Sequence, residues 1–187
     1  MLNLSLRPRP AARGAQRGFT LIELMMAIVV LGILTGVGLP SFLQMLRSAQ
    51  IRNGAETLVS GIQRARAEAV ARNANVQFLL GTGTSWTVDY VTKPVATDPV
   101  LDQSNNQEGA SNVTIVALAS DNTTAATRLT FNSVGQVVGN ADASLAISRI
   151  NLSATGTTTT VRVTVGAGGN ARSCDPTLTA GSSPRAC

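Results

Sequence analysis

The sequence predicts an α+β chain in which one long N-terminal helix, apolar first and amphipathic later, packs against a strand-rich head. Three observations carry that expectation. Residues 19–39 are apolar apart from Thr20, Glu23, Thr35 and glycines. From Pro40 to about Asn73, apolar residues recur at spacings of four and three, which places them on one helical face. Beyond residue 75 the chain turns to Thr, Ser, Gly, Ala and Asn around short apolar runs, the composition of strands and turns. The 187 residues suffice for one globular domain plus an anchoring segment.

The first element begins after a basic stretch. Residues 1–18 hold Arg7, Arg9, Arg13 and Arg17, with Pro8 and Pro10 between them. The apolar segment of 21 residues that follows is long enough to cross a bilayer as a helix. Arginines before it and none within it predict a cytoplasmic N-terminus. A cleaved secretory signal is the competing reading. Against it, the apolar run is long, the only small-residue junction is Gly36-Val37-Gly38, and the helical pattern continues past it. Glu23 is the anomaly. A carboxylate inside an apolar helix costs roughly 2.5–3.5 kcal/mol on insertion scales, so it needs a partner. If the chain is cut after Gly18, the new amine of Phe19 lies one turn before Glu23, and a neighbouring subunit's amine can neutralise it.

The string Arg17-Gly18-Phe19-Thr20-Leu21-Ile22-Glu23-Leu24 resembles the class III signal of type IV pilins and type II secretion pseudopilins. The resemblance implies that a prepilin peptidase cuts after Gly18 and methylates Phe19, and that Glu23 is the assembly carboxylate. It also implies a kink at Pro40, where proline removes a backbone donor and Gly32, Gly36 and Gly38 lie nearby.

In the helix continuation, residues 40–73, the stripe is Ile51, Ala55, Leu58, Ile62, Ala65 and Ala69. It reads as packing against a sheet, with a coiled-coil partner as the alternative. Glu68 and Arg72 form an (i, i+4) pair. Within the head, residues 74–187, strands are expected at 76–80, 86–91, 112–119, 128–131, 145–152 and 157–165, with residues 92–111 as a loop. The strand ending at Val165 is the clearest, with Val161, Val163 and Val165 on one face. The segment Arg64–Asn73 followed by an apolar strand is similar to the GspH/FimT family of minor pilins and pseudopilins. That resemblance implies a type IV pilin-like head of two small antiparallel sheets, with Trp86 in its core.

Charge and composition limit the functions available. The formal net charge is +5, but without the four arginines ahead of Phe19 only eleven basic residues face ten acidic ones. From Ala74 onward six basic residues face seven acidic ones, so bulk electrostatics give no nucleic-acid binding and only a local patch would. Histidine is absent, and there is no nucleophile elbow, phosphate loop or metal-ligand cluster. The chain therefore reads as a non-enzyme without cofactor or metal.

Cys174 and Cys187, an even pair near the end of an exported domain, are expected to form a disulfide. The bridge would bring Arg172 and Arg185 close together on a small rigid basic loop. This tail resembles that of FimT-type minor pilins, where a Gly-Arg-x-Arg pattern before the first Cys is implicated in binding DNA during natural transformation. Gly169 and Arg172 match, whereas Asn170 stands in place of the first Arg, losing a charge and a bidentate phosphate donor.

The resemblance thus implies a bacterial inner-membrane subunit, N-terminus cytoplasmic and head periplasmic, later assembled into a pilus or pseudopilus. Its implied partners are other pilins or pseudopilins, prepilin peptidase, inner-membrane lipid and double-stranded DNA. The alternative is minor pseudopilin H of a type II secretion system.

Overall fold

A computed structural model describes residues 18–105, 110, 112–181 and 183–187. Of the expected leader, only Gly18 falls among them. The chain divides into two compact units, 1–40 and 41–187. A single helix, α1 (Leu21–Arg72), contributes to both and includes Pro40.

In the first unit the helix is opened by Thr20. Its Oγ1 accepts from the amide of Glu23 at 3.2 Å and its carbonyl accepts from Leu24 at 3.2 Å, so Thr20 is an N-cap. The Thr35 hydroxyl donates to the Leu31 carbonyl at 2.6 Å. That bond satisfies a polar group within the helix itself, as an apolar surrounding requires. The described large apolar side chains of this unit, among them Leu21, Ile28, Leu31 and Leu39, are all more than half exposed.

In the second unit the expected stripe is the buried face of α1: Ile51, Ala55, Leu58, Ile62, Ala65 and Ala69 are at most 1% exposed. It is covered by two sheets rather than by a partner helix. One sheet is built from β1 (Val76–Leu80), β2 (Trp86–Tyr90), β3 (Asp102–Ser104), β5 (Arg128–Phe131) and β6 (Val137–Val138), in the order β3-β2-β1-β5-β6. The other holds β4 (Thr114–Leu118), β7 (Arg149–Ser153), β8 (Val161–Val165) and β9 (Ala171–Cys174), in the order β4-β7-β8-β9. Every pairing is antiparallel.

Phe78, Leu129 and Phe131 from the first sheet and Ile150, Leu152 and Val163 from the second join the helix stripe in one core. Trp86 is 7% exposed and lies 6.1 Å from Phe78, ring centroid to ring centroid, so it is the core residue expected of it. Gly61 makes room for it: a Cβ there would meet the indole at 2.6 Å.

Several boundaries differ from expectation. The segment 92–111 contains β3, a three-residue strand paired with β2 through Trp86↔Ser104. The strand expected at 145–152 begins only at Arg149, and the one expected at 157–165 begins at Val161. Residues 157–159 instead form a hydroxyl cluster, in which the Ser48 side chain bonds Thr157 and Thr159 at 3.2 and 3.0 Å. The tail, expected as a small rigid basic loop, supplies β9.

Cys174 and Cys187 are bonded, with Cα atoms 5.1 Å apart. The Asp175 amide donates to the Arg185 carbonyl at 2.7 Å, which lays the end of the chain beside β9. Closing a loop of about 14 residues stabilises by about 3 kcal/mol on chain-entropy grounds. Cys174→Ser/Cys187→Ser is therefore expected to lower the melting temperature of the chain in neutral detergent. A melt identical to the parent's would show that the hydrogen bonds alone hold the tail.

Candidate functional site

The sequence-predicted residues fall in two places, one in each unit. In the first, Gly18, Phe19 and Thr20 lie ahead of α1, and Phe19 is 87% exposed. Glu23 stands in the first turn, where the helix dipole favours an anion. It is the only charged residue from Phe19 to Leu46, and its neighbours Leu21, Ile22, Leu24 and Met25 are exposed apolar side chains. A lone carboxylate on a bare apolar helix surface can be satisfied by a cation from another chain.

In the second unit the tail residues do not form one patch. Gly169 sits at the tip of the β8–β9 hairpin with φ +79°, and its amide donates to Gly166 O at 2.8 Å. A Cβ on Gly169 would lie 2.2 Å from the Gly135 carbonyl oxygen. That same carbonyl accepts from Arg66 Nε at 3.0 Å, and Val137 N donates to Ala167 O at 3.1 Å. Gly169 is thus the close-packed point where the hairpin meets the helix and the first sheet. Asn170 folds back on its own hairpin, its Oδ1 lying 2.6 Å from where a Cβ of Gly166 would be.

Arg172 and Arg185 are placed on different surfaces, contrary to the single basic loop expected. Strand alternation is the reason. Ser173 pairs with the inward Val163, so Arg172, paired with Thr164, points outward. Arg185 instead lines a cleft of about 250 Å³ together with Arg52, Glu56, Ser173 and Asp175. The Thr177 hydroxyl and amide hold the Asp175 carboxyl below the usual carboxylate range, and the nearby Arg185 and Arg52 guanidiniums lower it further. Sequence reasoning passed over Thr20, and also Arg149 and Arg162, which share the outward face with Arg172. The Thr-x-x-Glu spacing of a helix start signalled the first.

The chain is similar to known proteins in sequence motif and in fold. Residues 13–39 match the prokaryotic N-terminal methylation motif, and residues 54–173 match the family described as type II transport protein GspH. A fimbrial protein of Moraxella nonliquefaciens is 45% identical over 49 residues, 26% of this chain and 31% of that one. Prepilin peptidase-dependent protein D of Escherichia coli K12 is 46% identical over 44 residues, covering 24% and 30% respectively. The chain thus spans less than a third of the length of these relatives. Among solved structures, the type IV minor pilin FimU of Pseudomonas aeruginosa PAO1 aligns with a TM-score of 0.50 at 17% identity, over 66% of this chain and 87% of that one. The minor pseudopilin EpsH of the Vibrio cholerae type 2 secretion system aligns at 0.48 and 14%, over 69% and 99%.

The long helix on two antiparallel sheets, together with the methylation motif, defines a pilin-like structural subunit rather than an enzyme. Within that class the chain belongs to the family of the type II transport protein GspH, whose model matches residues 54–173.

Proposed function

We propose that this chain is a minor pilin that is cut after Gly18, methylated on Phe19 and assembled into, or priming, a type IV pilus. The observation that carries the proposal is Glu23, the single charge on an otherwise exposed apolar helix segment whose 18-residue window reaches a mean hydropathy of 2.3. The segment anchors the chain in the bacterial inner membrane, N-terminus cytoplasmic and head periplasmic, in contact with lipid until other pilins replace it. Glu23 then takes its cation from the Phe19 amine of a neighbouring subunit, and Pro40 lets the helix bend or partly melt in the filament.

Mass spectrometry of the chain isolated from cells that hold a prepilin peptidase tests this. The expected product begins at Phe19 and carries one added methyl group. A chain that keeps residues 1–18, or one that begins after Gly38 as a secretory signal would leave it, ends the proposal.

The second reading, minor pseudopilin H of a type II secretion system, shares these features. It is favoured if loss of the chain blocks protein secretion while pili remain. The pilus branch carries one further function, capture of double-stranded DNA for natural transformation through the C-terminal region. Arg172 supports it, because this outward guanidinium has no ion pair among the described residues.

A further inference from the structure

The eleven basic side chains from Ser41 onward sort by what each one meets. Arg64, Arg72, Lys93 and Arg128 are in ion pairs with Glu68, Asp102, Asp89 and Asp142. Arg47 and Arg66 donate to the carbonyls of Gly156 and Gly135. Arg52 and Arg185 stand beside Asp175. Three remain with neither a carboxylate nor a backbone carbonyl partner among the described residues: Arg149, Arg162 and Arg172. Their positions are far apart in sequence, yet strand register puts all three on the outward face of the four-stranded sheet.

That register also fixes their arrangement. Arg149, Thr164 and Arg172 form one row across β7, β8 and β9, and Asn151, Arg162 and Cys174 form the next. With strands about 4.8 Å apart, Arg149 and Arg172 start roughly 10 Å from each other. Arg162 is diagonal to both, at roughly 7–8 Å. The Arg162 Nε is tied to Asn151 Oδ1 at 2.7 Å, which fixes the side chain and leaves its terminal nitrogens to form a donor fork. None of the outward positions on the four strands is Asp or Glu: besides the arginines and Cys174 they are Thr114, Val116, Leu118, Asn151, Ser153 and Thr164.

We infer that the outward face of this sheet is a binding surface for the phosphate backbone of duplex DNA, with Arg149, Arg162 and Arg172 as its contacts. The inference rests on the DNA-capture reading above and relocates its main contacts from the terminal loop to the sheet. An acidic protein surface is the competing occupant. A protein interface of useful affinity needs aromatic or apolar anchors at its centre, and this face has no aromatic, its two apolar residues standing on the edge strand β4. Backbone phosphates need only donors, and the interleaved Thr and Asn add them. Three phosphate contacts imply a salt slope of about −2.7 in log–log form, with no sequence preference.

The test uses the full chain, cleaved after Gly18, in neutral detergent, with a short labelled duplex of mixed sequence titrated from about 50 to 200 mM salt. Arg149→Gln/Arg162→Gln is expected to weaken binding about tenfold or more at low salt and to flatten the slope by roughly two units. Arg149→Lys/Arg162→Lys should keep the slope, and Arg185→Gln should leave affinity and slope as in the parent. If the glutamine pair binds like the parent while Arg172→Gln/Arg185→Gln does not, the contacts lie in the terminal region. The sheet face is then wrong, and DNA capture stands. No binding by the parent at the lowest salt ends both. Equal loss in the glutamine and lysine pairs would trace the effect to damage of the sheet and overturn the assignment. Displacement of the duplex by poly-glutamate at equal charge would do the same, giving the face to an acidic protein.

Discussion

Glu23→Ala is expected to give a chain that is cleaved and methylated like the parent but is missing from sheared filaments, by on the order of a hundredfold. Local structure gives no reason for a processing defect. The hydrogen bond that Glu23 makes at the helix start is through its backbone amide, which donates to Thr20 Oγ1, and alanine keeps that amide. Membrane insertion should improve, because a charge costing roughly 2.5–3.5 kcal/mol in an apolar helix is gone. What is lost, on the proposed pairing, is the partner for the incoming subunit's terminal amine. Leaving one member of a buried pair uncompensated costs about 3–5 kcal/mol, and about 3 kcal/mol is a factor of over one hundred in an equilibrium. Glu23→Gln should behave the same, since shape without charge does not neutralise an ammonium. Immunoblots of the membrane and filament fractions measure the ratio directly. A parent-like ratio in the alanine variant would remove Glu23 from assembly.

Gly169→Ala is expected to be the most damaging small change in the tail, destabilising by about 3 kcal/mol. Two costs add. A non-glycine residue at φ +79° is strained by on the order of 1–3 kcal/mol. The new methyl carbon would also sit 2.2 Å from a backbone oxygen, which forces the hairpin away from the turn at Gly135 and disturbs the Arg66 bond. For a chain of this size that corresponds to roughly 6–12 °C in melting temperature. Gly168→Ala is the control: its Cβ would meet nothing nearer than Asn170 Oδ1 at 3.8 Å, and its melt should barely move. This changes how tail variants are read. Loss of DNA binding in Gly169→Ala would follow from a displaced hairpin, not from a missing contact. A parent-like melt would return the glycine to the ligand-contact account.

The long helix was legible because its periodicity is carried by side chains that burial later confirmed, from Ile51 to Ala69. β8 was legible for the same reason at period two, Val161, Val163 and Val165 all facing inward. The misses share a cause. β3 and β6 have three and two residues, too few for alternation to register, and β9, Ala-Arg-Ser-Cys, lacks the large apolar side chains that Leu129 and Phe131 give β5; they are strands only because a longer neighbour pairs with them. Val137, for instance, is held by Phe131. At the candidate sites, the N-terminal motif is contiguous and could be read directly. The arginine face could not, because Arg149, Arg162 and Arg172 become neighbours only through register. The same alternation turns Arg172 away from Arg185, which the bridge between Cys174 and Cys187 was expected to bring beside it.

The Thr20 cap also bears on the proposed removal of the leader. Helical hydrogen bonding in α1 begins with Thr20 as acceptor, so the bond between Gly18 and Phe19 lies in non-helical backbone. A protease active site requires an extended strand of substrate, and residues 18–20 lie ahead of α1, so reaching this bond would require no unwinding of the helix on that side. Both cap acceptors, the Thr20 hydroxyl and carbonyl, stay with the product. On the proposed cut after Gly18 the helix end would therefore stay intact, and the terminus offered to a neighbouring subunit would already be folded.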